Sequence, residues 1–125
     1  MRHPALPLIV ALAAAVMTAH AHAAAPTPAS DMDCAVRYLT LAAGAGANPQ
    51  VQQTFMTRAV DAGQRHAKAN PSLDQQELQT AIQTQAQARS QKIGADRAAL
   101  MDLFIDIRLC DFNYGYPLTP FPPQN

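Results

Sequence analysis

The stretch Asp96-Arg97-Ala98-Ala99-Leu100-Met101-Asp102-Leu103-Phe104-Ile105-Asp106-Ile107-Arg108-Leu109-Cys110-Asp111-Phe112-Asn113 decides the fold of this chain. Leu100, Leu103, Phe104, Ile107 and Cys110 recur at helical spacing and share one broad face. Met101, Ile105, Leu109 and Phe112 fill a second face, which leaves Asp102 and Asp106 as the one clean polar edge. A helix apolar around most of its circumference must be covered on most sides. The reading therefore places a helix from Arg97 to about Asn113, capped by Asp96, at the centre of a core that other helices must supply.

Three more helical segments precede it. The first opens at Ser30 or Asp31, either of which can cap it, and runs to about Ala43 with Cys34, Tyr38 and Leu41 on one face. Gly44 and Gly46 end it. The Gly44-Ala45-Gly46 run lacks the following Lys-Ser/Thr and preceding strand of a phosphate loop. Asn48-Pro49 starts the second helix, with Asn as cap and Pro in the first turn, and it extends to about Ala69. Its stripe is Val51, Phe55, Ala59, Ala62 and His66, widened by Met56 and Val60. After Asn70-Pro71, Ser72 and Gln75 have capping-box spacing and predict the start of the third helix, which Gly94 ends. Its apolar stripe is thin (Leu78, Ile82, Ala86, Ile93), and Gln75, Gln76, Gln79, Gln83, Gln85, Gln87 and Gln91 make a solvated outer face without charge.

Short connections between four helices favour an antiparallel up-down-up-down bundle. That topology sets the start of the first helix beside the end of the fourth, where Cys34 and Cys110 lie on apolar faces. One disulfide between them is the expected pairing, closing a long loop and stabilising the fold by about 4 kcal/mol in the chain-entropy model. The fold class expected is all-α: a small antiparallel four-helix bundle tied by Cys34–Cys110, followed by a Pro-rich tail. That tail, 114–125, holds four prolines and cannot be helical; its aromatics predict that part of it lies back on the bundle.

The chain opens with an export signal. Arg2 gives a cationic start, Ala5 to Met17 is free of charge, and Ala19 to Ala25 is rich in small residues. The apolar run is too short for a membrane span, which needs about 20 residues, and Pro7 interrupts it. Cleavage fits after Ala21, Ala23 or Ala25. Ala23 is favoured, because cutting after Ala25 would put Pro26 in the next position. The organisation read is thus a signal peptide over 1–23, a linker over 24–30, a helical domain over 31–113 and the tail. It predicts a periplasmic or secreted protein with no stable membrane anchor after cleavage.

Nine Lys and Arg balance nine Asp and Glu, with no run of like charge and no Trp, so no electrostatic footprint for nucleic acid is present. No catalytic residue, cofactor site or metal site emerges. His66 is the one histidine beyond the signal and reads as a boundary residue near Arg65 and Lys68. Were cleavage to fall after Ala21, His22 would become an N-terminal copper chelator. Asp102 and Asp106 lie on an outer helix edge and not across a cleft, so they read as solvated carboxylates and not as an acid/base pair. Ser30, Ser72 and Ser90 have no nucleophile-elbow context.

The motifs Asp33-Cys34-Ala35, Asn70-Pro71-Ser72-Leu73-Asp74 and the late Cys110 give residues 31–111 a layout that resembles small exported proteobacterial helical proteins with two cysteines. The resemblance implies a fold and an address and carries no activity. The expected function is non-enzymatic: binding another envelope protein through a helical face or the aromatic-proline tail. Two alternatives are a periplasmic stress chaperone resembling the acid-activated helical type, and a binder of apolar ligands between the helices.

Overall fold

The computed structural model describes residues 29–45 and 48–122. The export signal expected over 1–23, its expected cleavage point and His22 lie outside the described residues. Among the described residues the chain forms four α-helices and no strand: α1 (Asp31–Gly44), α2 (Pro49–Ala69), α3 (Gln75–Ala95) and α4 (Arg97–Tyr114).

Each start has its cap. Ser30 accepts the Asp33 N–H at 3.1 Å, with Asp31 and Asp33 complementing the helix dipole in the first turn. Asn48 accepts from Gln50 and Val51, and Pro49 occupies the first turn. Asp96 accepts the Ala98 N–H at 2.9 Å while also closing α3, so α3 and α4 meet without a loop. At α3 the expectation needs correction. Asp74, not Ser72, is the cap, accepting from Gln76 at 2.8 Å and Glu77 at 3.2 Å. An ionised carboxylate is the stronger acceptor of the two at a helix start, and Pro71 leaves 71–73 in a turn.

The core is organised around α1. It packs against all three other helices, whereas α2 and α4 make no backbone approach to each other. Cys34, Ala35, Val36, Tyr38, Thr40 and Ala42 are all buried on it. Most are small, which lets neighbours come close on several sides. Thr40 satisfies its buried hydroxyl by donating to the Val36 carbonyl at 2.7 Å.

Helix α4 is therefore not the enclosed centre. Its first face is buried as expected through Leu103, Phe104, Ile107 and Cys110. Its second face is not covered: Ile105, Leu109 and Phe112 are exposed, Phe112 to 76 %. Three helices around a short central α1 leave α4 at the periphery, with one side free.

Cys34 and Cys110 are joined, with their Cα atoms 5.8 Å apart. Such a bond fits an oxidising compartment. Among the described residues, no helix is long and apolar enough to cross a membrane.

Candidate functional site: the pinned tail and the open faces

Helix α4 ends in a Schellman turn. Gly115 takes φ 74°, its N–H bonds the Phe112 carbonyl, and Tyr116 N–H bonds the Asp111 carbonyl at 2.9 Å. The left-handed residue turns the chain back, so residues 116–121 run over the seam that α2 and α4 leave between them.

One buried carboxylate holds the tail there. Asp111 is fully buried and accepts from the Tyr38 hydroxyl (2.7 Å), the Arg58 guanidinium (2.8 Å), the Thr119 N–H (2.8 Å) and the Thr119 hydroxyl (2.6 Å). A carboxylate out of water needs a counter-charge and filled lone pairs, and Arg58, itself only 13 % exposed, supplies the charge. Arg58 also lies 4.6 Å from the centre of the Tyr116 ring. Further along, Arg108 donates to the Thr119 carbonyl at 2.6 Å and stacks over Phe121. The tail is thus a fifth packing element joining α2 to α4.

The tyrosines extend the same seam. Tyr114 donates to Asp31 and Tyr116 to Asp61, the latter at 3.2 Å. Burial, reinforced by the hydrogen bond to Asp111, pushes the Tyr38 phenol well above its ordinary value. Burial and the bond to Asp31 do the same for Tyr114, and burial with the nearby Asp61 charge raises Tyr116.

The residues singled out from sequence are dispersed. His66 is half-buried at the edge of α2, Asp102 is exposed, and Asp106 accepts from Arg37 Nε at 3.1 Å. Ser30 is a helix cap, and Ser72 lies exposed in the turn before α3. Among the described residues no three His, Cys, Asp or Glu side chains gather in a metal-binding group. The sequence pattern assigns Asp111 no role. The available signal is its position four residues after Ile107 and seven after Phe104, on the buried stripe itself.

The outer face of α4 is an exposed apolar surface. Ile105, Leu109 and Phe112 stand on successive turns of a helix whose C-terminal end is held by both the disulfide at Cys110 and the pinned tail. Compared with protein-family models, with curated proteins and with solved structures, the chain matches none.

Proposed function

We propose that this protein is exported, non-enzymatic, and acts by binding another envelope protein through the outer face of α4. The observation that carries the reading is the exposed Ile105–Leu109–Phe112 stripe. Exposed Leu or Ile residues scattered singly need no explanation, but a contiguous apolar stripe on a rigid helix marks an interaction surface. Aromatic anchors such as Phe112 are the side chains enriched in such contacts. The signal-like segment 1–23 and the disulfide support a periplasmic or secreted setting.

The test is site-specific photo-crosslinking in cells that make the protein. A benzophenone amino acid at position 112 or 105 is expected to give one discrete adduct. The same group at Gln87, exposed on α3, should give none. Identical adducts from all three positions, or none from any, would remove the support for this face. Fractionation with and without residues 1–23 tests the address separately.

A further inference from the structure

A second surface lies away from α4 and rests on different residues. Helices α2 and α3 touch only lightly, and the gap between them is a trough of about 540 Å³. Its floor is aliphatic: Leu39 from α1, Ala59 and Gly63 from α2, Leu78 and Ile82 from α3. Gly63 keeps the floor open, because a methyl placed there would stand 3.5 Å from Ile82 Cδ1 and anything larger would project into the space. Met56 and Val60 continue the apolar wall and are exposed at 38 % and 50 %. The rim is made of carboxamides: Gln64, Gln75, Gln76, Gln79 and Gln83. Each offers two donors and an acceptor without charge.

Two properties of this lining describe what it fits. Among the described residues that form it, none is charged, so an ionic head group at the exposed rim would find no counter-charge in the lining. None is aromatic either, although the chain has four Phe and three Tyr, so a flat ring finds nothing to stack on. The volume falls in the range of small-molecule sites, roughly 300–1,000 Å³. We propose that the trough binds an unbranched acyl chain bearing an uncharged ester or amide head. The chain lies on the aliphatic floor, and the head hydrogen-bonds among the rim glutamines. The glutamine-rich face of α3 is then the polar half of a ligand site.

The probe is monodecanoyl glycerol, titrated below its micelle concentration into the oxidised, isotope-labelled protein and followed by NMR. Saturable shifts are expected in the glutamine side-chain amides of the rim and at Gly63. Decanoate, with the same chain and a charged head, should bind at least ~10-fold more weakly. A naphthyl alcohol should not saturate. Gly63→Leu should abolish the shifts, and Phe112→Asp should leave them unchanged. Because Gly63→Leu could disturb α2/α3 packing, the exposed-rim variants Gln79→Lys and Gln83→Lys provide a second arm, in which the preference should turn toward decanoate. Absent or non-saturating shifts, equal binding of neutral and charged probes, or shifts confined to α4 would overturn the proposal.

Discussion

Tyr38 and Asp111, 73 residues apart in the chain, meet across the α1/α4 interface through a 2.7 Å hydrogen bond with neither side chain exposed. The same carboxylate takes Arg58 from α2 and two donors from Thr119, so one residue ties three helical elements and the tail together. Breaking a buried ion pair by neutralising one partner leaves the other charge unmatched, which costs about 3–5 kcal/mol. Asp111→Asn also turns an amide N–H₂ toward donors. We expect a loss of that size in chemical denaturation, a large share of the stability of a small domain. Thr119→Val removes a single hydrogen bond to a charged group and should cost only about 1.5–3 kcal/mol. If Asp111→Asn proved no worse than Thr119→Val, the carboxylate would not be the organising charge.

The chain's three tyrosines all sit in this seam, and all are raised by burial and neighbouring carboxylates. In the unfolded chain each ionises near pH 10. A group whose folded value lies above its unfolded value favours the folded state fully below the unfolded pKa. That contribution is lost as pH rises through the folded value. Stability should therefore hold up to about pH 9 and fall beyond about pH 10. Tyrosinate absorbance near 295 nm should rise together with the loss of helical circular dichroism. Smooth ionisation near pH 10 with the helices intact would contradict the buried placement.

Reduction of Cys34–Cys110 gives a separate expectation. The bond joins residues 76 apart, and both cysteines are buried against the core. Removing it releases a long loop in the unfolded chain, so the paired Cys34→Ala and Cys110→Ala variant should lose about 2–5 kcal/mol. Thermal melts with and without a reductant should show the same loss in the native protein. Helix content at low temperature should be kept, since α1 and α4 also meet through Tyr38–Asp111 and Arg37–Asp106.

The four helices, three of their caps and the disulfide were legible because local rules govern them. Ser30, Asn48 and Asp96 announce helix starts within a few residues, and the cysteine pair needs only the bundle topology. The central helix was harder to identify. Hydropathy points to α4, yet α1 is enclosed through Ala35, Thr40 and Ala42, small residues whose apolar weight in a sequence is slight. The Asp111 seam was less legible still. Its partners lie at positions 38, 58 and 119, and no local period links an acidic residue to an arginine 53 positions away. An aspartate on a buried stripe signals that partners must exist without naming them.

Two phenylalanine-bearing turns of α4 separate the core role of this helix from its surface role. Leu103 is 3 % exposed and belongs to the buried cluster, so Leu103→Ala should cost about 2–5 kcal/mol through lost transfer energy and the cavity left behind. Phe112, one helix face away, is 76 % exposed, so the fold loses little when it changes. Surface substitutions without special contacts stay within about 0.5 kcal/mol. Phe112→Asp should therefore melt like the native protein, and so should Ile105→Asp, at 48 % exposure. Both should nevertheless lose the photo-crosslinked partner, because a carboxylate in the middle of an apolar contact must be desolvated without a counter-charge. The pairing of readouts is what makes the comparison decisive. A Phe112→Asp protein that unfolds would show the stripe to be core. One that folds and still captures the partner would place the binding surface elsewhere, with the tail the next segment to probe.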